Sequence, residues 1–203
     1  MKRMAGLLLM FGLCLSAVAA DADLRAVLAD PAARQAAAEA GRKAAFFCVN
    51  CHGENGVSKL PEVPNLAGQN PAYLLEQIRK FGAGQRRDEF MQGLIKVLKE
   101  EERLQIAVFY AGQTPPPGQQ EASQIAAGRL LYDKLCARCH GSAAHGSEVI
   151  PRLAGQHVEY LVTAVTRYRD RTGERLDPAM SSAVAPLKNA DIKAVAAYLN
   201  SLP

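Results

Sequence analysis

The sequence predicts an all-α protein with two tandem helical domains joined by a short proline-rich segment. Three observations support this: the 203-residue chain repeats itself, its alanine-rich composition includes only 6% aromatic residues and no tryptophan, and its apolar residues recur at helical spacing. No stretch alternates polar and apolar residues as a half-buried strand would. The formal net charge of +4 is small for this length, so the composition indicates no nucleic-acid binding.

The two halves of the sequence match at an offset of 87 to 89 residues. The motif Cys-x-x-Cys-His-Gly occurs at 48–53 and 136–141, and Leu-Ala-Gly-Gln occurs at 66–69 and 153–156. Further residues repeat in the same order: Tyr73 with Tyr160, Arg86 with Arg175, Met91 with Met180, and Tyr110 with Tyr198. This shared order at nearly constant spacing indicates an internal duplication.

The first twenty residues have the layout of a secretory signal peptide. A basic start precedes an apolar run at 7–15 that is too short to span a bilayer, and small residues follow it. Cleavage after Ala19 or Ala20 would also remove Cys14. The mature protein is therefore expected outside the cytoplasm, in the periplasm.

The mature chain divides into a first domain at 21–111, a linker at 112–120 and a second domain at 121–203. Three consecutive prolines at 115–117 cannot lie inside a helix, which makes the linker stiff and extended. Helical spacing predicts helices over residues 23–47 with a break near Pro31, and over 72–81, 104–110, 123–135, 158–169 and 189–199. Asn189 is the expected N-cap of the last helix.

Each Cys-x-x-Cys-His motif indicates covalent attachment of a c-type haem. Two cysteines three positions apart lie on one side of a helical turn, where they can form thioethers with the two vinyl groups of one porphyrin. The histidine that follows can then ligate the iron as the proximal ligand. The expected haem cysteines are Cys48, Cys51, Cys136 and Cys139, and the expected iron ligands are His52 and His140.

Three other uses of the cysteines compete with haem attachment. A redox disulfide normally lies in a βαβ context, which this sequence lacks. One zinc ion could bind all four, but the pairs are 88 residues apart in duplicate halves and a histidine follows each pair. Two structural disulfides would also suit an oxidising compartment.

The sixth iron ligands follow by elimination. Met91 and Met180 are the only methionines outside residues 1–20, and they lie 39 and 40 residues after the two motif histidines. Ligation by methionine and histidine leaves no open position on the iron, which favours electron transfer over chemistry on a bound substrate. A methionine for each haem also argues against a dihaem peroxidase.

Residues near these ligands suggest supporting roles. The carbonyls of Pro64 and Pro151 can accept hydrogen bonds from the two histidine rings. Arg86 and Arg175 each lie five residues before a methionine, and they are candidate partners for haem propionates or ordinary surface arginines. The two remaining histidines have no counterpart in the first half and are expected at the surface; they are His145 and His157.

In these motifs the sequence resembles the dihaem cytochrome c4 family, whose halves are class I cytochrome c domains. The resemblance covers nearly the whole mature chain, although Asp-Glu-Phe stands before Met91 where Asp-Pro-Ala stands before Met180. It implies two facing cytochrome domains, His/Met ligation of both irons, and electron delivery toward a terminal oxidase. A rival function is that of a dihaem subunit accepting electrons from a flavin- or molybdenum-dependent oxidoreductase.

The expected partners are redox proteins: a terminal oxidase, a quinol–cytochrome c reductase or a dehydrogenase. The chain itself is expected to be an electron carrier and not an enzyme, without nucleic-acid partners and peripheral to the membrane surface. Both hypotheses require the same two haems and differ only in the source and destination of the electrons.

We expect the intact mass of the purified mature protein to exceed that of its polypeptide by two haems, because both motifs attach one covalently. Mass spectrometry under denaturing conditions measures this increment, since thioether links survive denaturation. A bare polypeptide mass would contradict haem attachment altogether, and a single increment would limit it to one half.

Overall fold

The computed structural model describes residues 21–118, 120 and 122–203, so the predicted signal peptide at 1–20 lies outside the described residues. Within these ranges the chain is helical and contains no strand, which confirms the all-α prediction. None of the helices described is both long and apolar enough to cross a membrane. The helices of the first half are α1 (21–29), α2 (Pro31–Ala44), α3 (Val49–His52), α4 (Pro71–Gly82), α5 (Glu89–Lys96) and α6 (Glu100–Ala111). Those of the second half are α7 (Ala122–Leu135), α8 (Ala137–His140), α9 (Val158–Asp170), α10 (Pro178–Val184) and α11 (Asn189–Ser201).

The break predicted near Pro31 separates α1 from α2. Asp30 is the N-cap of α2, and its carboxylate accepts a hydrogen bond from the amide of Ala32 at 2.9 Å. Proline fits the first position of a helix because its fixed φ suits the turn and no amide hydrogen is needed there. A 3₁₀ turn at Ala45–Phe47 then leads directly into the first cysteine pair.

The predicted N-cap of the last helix is wrong, because α11 begins at Asn189 and Lys188 is its N-cap. The carboxylate of Asp191 accepts a hydrogen bond from the Lys188 amide at 2.8 Å. The last helix of the first half begins in the same way, since Glu102 accepts from the Lys99 amide at 2.8 Å. In both halves an acidic residue in the first turn therefore accepts from the amide of the N-cap lysine. A short polar side chain at the N-cap position is not needed for this bond.

Each half is held together by a close crossing of its first long helix with its last. A Cβ built on Gly41 of α2 would lie 2.0 Å from the carbonyl oxygen of Gln105 on α6. A Cβ built on Gly128 of α7 would likewise lie 2.0 Å from the carbonyl oxygen of Ala194 on α11. The two glycines are 87 residues apart, so the duplication has kept the same backbone-to-backbone crossing in both halves.

Separate hydrophobic cores fill the two halves. The first core packs α1, α2, α4 and α6 together around the fully buried ring of Tyr110. The second half has two smaller clusters, one around the buried ring of Tyr132 and one between α9, α10 and α11. Leu24 of α1 is 2% exposed, so this additional helix is an integral part of the first core.

The prolines of the linker lie against both halves. A Cβ on Gly68 would be 3.0 Å from Cδ of Pro115, and a Cβ on Gly155 would be 3.2 Å from Cβ of the same proline. Both glycines have positive φ, 65° and 71°, which side chains with a Cβ seldom adopt. The glycines of the two Leu-Ala-Gly-Gln segments thus give the linker room to pack at the junction of the halves.

We expect Gly41→Ala to lower the free energy of unfolding by roughly 1–3 kcal/mol, because α2 and α6 must move apart to admit the methyl group. Urea denaturation of the holoprotein, followed by circular dichroism, measures the change. The matched control is Gly93→Ala in α5, where a built Cβ has no atom within 4 Å. This control should be neutral or stabilising by about 0.5–1 kcal/mol, and an equal loss in both variants would contradict the packing argument.

Candidate haem-binding sites

The first cysteine motif forms a single helical turn. The amide of His52 donates to the carbonyl of Cys48 at 2.9 Å, which brings the two cysteines and the histidine to one side of α3. Gly53 then ends the helix with a φ of 79°, and a Cβ there would lie 2.1 Å from the carbonyl oxygen of Val57. Glycine is therefore required directly after the histidine to let the chain turn away.

The second motif repeats this geometry. The amide of His140 donates to the carbonyl of Cys136 at 3.0 Å, and Gly141 ends α8 with a φ of 77°. In this half the hydroxyl of Tyr132 also donates to the carbonyl of Gly141. The turn that follows the motif is thereby tied to the preceding helix α7.

The structure does not support the competing uses of the cysteines. No disulfide joins the four cysteines in the described ranges. Burial raises the pKa of the Cys48 thiol and raises that of Cys136 to about 11, because the apolar surroundings disfavour the charged thiolate. Across residues 21–118, 120 and 122–203, no three His, Cys, Asp or Glu side chains converge as a metal site.

Both motif histidines are buried and each is bonded to a proline carbonyl, as the sequence predicts. Nδ1 of His52 lies 2.9 Å from the carbonyl oxygen of Pro64, and Nδ1 of His140 lies 3.0 Å from that of Pro151. A carbonyl only accepts, so Nδ1 carries the proton and Nε2 keeps its lone pair. Burial lowers the pKa of both rings, which favours the neutral form that a metal requires.

The two methionines occupy the same place in two short helices. The amide of Met91 donates to Asp88 at 2.9 Å in α5, and the amide of Met180 donates to Asp177 at 3.0 Å in α10. Both aspartates are extended N-caps, with φ of −166° and −153°. Glu89 replaces the proline of the second half at the first helical position, yet the cap is the same. Neither helix was predicted from the sequence.

Arg86 and Arg175 meet between the two halves, and each donates to a tyrosine of the opposite half. Arg86 donates to the hydroxyl of Tyr160 at 3.2 Å, and Arg175 donates to that of Tyr73 at 2.9 Å. Arg175 also donates to Tyr160 at 2.9 Å and lies 5.2 Å from the ring centre of Tyr168. Tyr73 and Tyr160 stand out as a repeated pair in the sequence, but no role was predicted for them.

This arginine–tyrosine cluster lacks a compensating acid among the described residues. Arg175 is 8% exposed, and its polar partners are phenol hydroxyls instead of carboxylates. Burial alone would raise the pKa of Tyr160, but the charges of Arg175 and Arg86 outweigh it and bring that pKa to about 8. A buried cation such as Arg175 requires an anion, and the carboxylates of a bound haem fit that requirement.

The two remaining histidines differ in their surroundings. His145 is exposed, as expected, and Nε2 of its ring lies 3.2 Å from the carbonyl oxygen of Pro203. His157 is only half-exposed, because Nε2 of its ring lies 2.9 Å from the carbonyl oxygen of Ser58 in the other half. His157 is thus partly exposed, and its ring helps to join the two halves.

Comparison with known proteins finds similarity across both halves. A family model described as cytochrome c matches residues 125–203. A cytochrome c4 from Pseudomonas aeruginosa is 33% identical over 177 residues, which cover 81% of this chain and 88% of that protein. A thiosulfate dehydrogenase electron acceptor from Thiomonas intermedia is 31% identical over 174 residues, covering 78% and 80% of the two chains. The crystal structure of reduced recombinant cytochrome c4 from Pseudomonas stutzeri matches with a TM-score of 0.76 and 30% identity, over 82% of this chain and 98% of that one.

Proposed function

Because the chain belongs to the cytochrome c4 family of dihaem electron carriers, we propose that it transfers single electrons between redox proteins in the periplasm, toward a terminal oxidase. The observation that carries this proposal is the duplicated site. Each half has a buried imidazole whose Nε2 keeps its lone pair, a cysteine pair on the same helical turn, and one methionine in a short helix with an aspartate N-cap. The signal-peptide pattern at residues 1–20 supports the periplasmic location.

The chain carries two covalent c-type haems, and we assign their ligands from the residues at each site. The first haem is attached through Cys48 and Cys51, with His52 and Met91 on its iron. The second is attached through Cys136 and Cys139, with His140 and Met180 on its iron. Each bound haem supplies a reversible one-electron couple of its iron. A histidine and a methionine from each half would hold the iron together, and such a ligand pair would leave no open position for a substrate.

Arg86 and Arg175 are proposed to pair with haem propionates between the halves. The buried Arg175 has only phenols as polar partners, so a carboxylate there would gain a charge-assisted hydrogen bond and relieve an uncompensated charge. Each arginine also donates to a tyrosine of the other half. Binding of a propionate by these arginines would therefore be coupled to the contact between the halves.

The proposed domain boundaries are 21–111 and 121–203, with the linker at 112–120. Separate hydrophobic cores and repeated helix crossings support this division. In this arrangement each haem belongs to its own core, and the linker prolines lie at the junction.

We expect Met180→Ala to lower the reduction potential of the second haem, because a thioether raises the potential relative to stronger ligands. The vacated position should also bind added imidazole or cyanide. A redox titration followed by absorption spectroscopy measures both effects, and Met91→Ala is the matched variant in the other half. An unchanged potential together with an unchanged low-spin spectrum would exclude the altered methionine as a ligand.

A second candidate function is that of an electron-accepting partner of a dehydrogenase. The similarity to the thiosulfate dehydrogenase electron acceptor from Thiomonas intermedia favours it, although that name describes the relative alone. Both functions use the same haem sites, so only the identity of the electron donor separates them.

Rapid-mixing experiments with the intact oxidised protein distinguish the two functions. Reduction by a purified dehydrogenase and its substrate, much faster than by a quinol–cytochrome c reductase, would favour the accepting role. Fast re-oxidation of the reduced protein by oxidase-containing membranes would favour the carrier role. Slow reaction in every case would contradict both.

A further inference from the structure

One peptide group in each half is hydrogen-bonded on both of its sides. The peptide that joins Pro64 to Asn65 accepts from the ring of His52 through its carbonyl oxygen, at 2.9 Å. The N–H of the same peptide donates at 2.8 Å to Oε1 of Gln156, which belongs to the other half. A continuous hydrogen-bonded chain thus runs from the first histidine to a glutamine of the second half.

The second half contains the mirror arrangement. The peptide that joins Pro151 to Arg152 accepts from His140 at 3.0 Å, and its N–H donates to Oε1 of Gln69 at 2.8 Å. Gln69 and Gln156 are the final residues of the two Leu-Ala-Gly-Gln segments. The protein therefore has two such hydrogen-bonded chains, here called relays, each running from the histidine of one half through a peptide group to the glutamine of the other half.

The glutamines are held rigidly in the orientation that the relay requires. Nε2 of Gln156 donates to the carbonyl of Asn65 at 3.0 Å, and Nε2 of Gln69 donates to that of Arg152 at 2.9 Å. Both side chains are buried, with 6% and 7% of their surface exposed. Because each Oε1 faces amide hydrogens while each Nε2 faces a carbonyl, a flipped amide would lose every one of these bonds.

Hydrogen bonds in series polarise one another, and each is strengthened by roughly 10–30% in condensed phases. Donation from Asn65 to Gln156 makes the Pro64 carbonyl a stronger acceptor, which draws the Nδ1 proton and makes the imidazole a stronger electron donor. A more basic axial imidazole stabilises oxidised iron and lowers the reduction potential. The same argument links Gln69 to His140.

We propose that Gln156 and Gln69 act across the interface as positioning residues that lower the reduction potential of the opposite half's haem. The inference rests on the proposed ligation by His52 and His140. This role differs from merely holding the two halves together. Loss of one glutamine should change the reduction potential of one haem only, the haem attached to the other half.

The test is a redox titration of Gln156→Met and Gln69→Met, which keep the side-chain length and remove the amide. The first variant should raise the potential of the first haem, and the second should raise that of the second haem. The expected shift is on the order of threefold in the one-electron equilibrium constant, about 28 mV at 59 mV per tenfold change. If a methionine variant does not fold, the shorter Gln156→Asn or Gln69→Asn also withdraws the acceptor and should move the same potential in the same direction.

Asn70→Ala is the matched control. The side-chain amide of Asn70 donates across the same interface to the carbonyls of His145 and Ile150, at 3.1 Å and 2.8 Å. It forms no hydrogen bond with the Pro64–Asn65 peptide or the Pro151–Arg152 peptide. Both potentials should therefore stay unchanged in this variant. Hydrogen exchange of the Asn65 amide provides a second readout, and it should become faster in Gln156→Met and stay slow in the control.

Unmoved potentials in both glutamine variants would overturn the proposal, as would equal shifts of both haems by either variant or by Asn70→Ala. Titration of the unaltered protein separates this failure from failure of the proposed function. Two low-spin haems with His/Met spectra must be present before the variants are compared, and their absence would reject the ligand assignment itself.

Discussion

The hydrogen bond from a buried imidazole to a proline carbonyl is the contact on which the rest of each half depends. It fixes the tautomer and plane of the ring. It also holds the loop that follows the motif helix within hydrogen-bonding distance of the histidine. The positive-φ glycine after each histidine lets the chain turn toward that loop. Burial of the ring then keeps the imidazole neutral, so geometry and charge both prepare it to bind a metal.

The contact between the halves has the character of a symmetric dimer interface within one chain. In a two-fold interface the same patch serves both partners, and each contact is returned by its equivalent. Gln69 and Gln156 make equivalent hydrogen bonds, each to a backbone amide of the other half. Arg86 and Arg175 likewise each donate to a tyrosine of the other half. A duplicated domain that docks on its copy needs one self-complementary surface instead of two unrelated ones.

Local features of the site could be predicted from the sequence, and long-range ones could not. The spacing of the motif requires a helical turn, and the proline carbonyls were predictable because each proline precedes a repeated segment. The helices that carry Met91 and Met180 escaped prediction because, at eight and seven residues, they are too short to show a period. Asn189 was wrongly expected as the N-cap because the helix begins one residue earlier than its short polar side chain suggests, with the Lys188 amide bonded to Asp191. The arginine–tyrosine pairs span 74 and 102 residues, and no local pattern encodes such contacts.

The linker that packs against Gly68 and Gly155 has a thermodynamic consequence for the contact between the halves. A small polar contact between free molecules would form only transiently, whereas a short covalent connection gives each half a high effective concentration of the other. The contact can therefore be formed mainly from amides, phenols and guanidinium groups and still persist at any dilution.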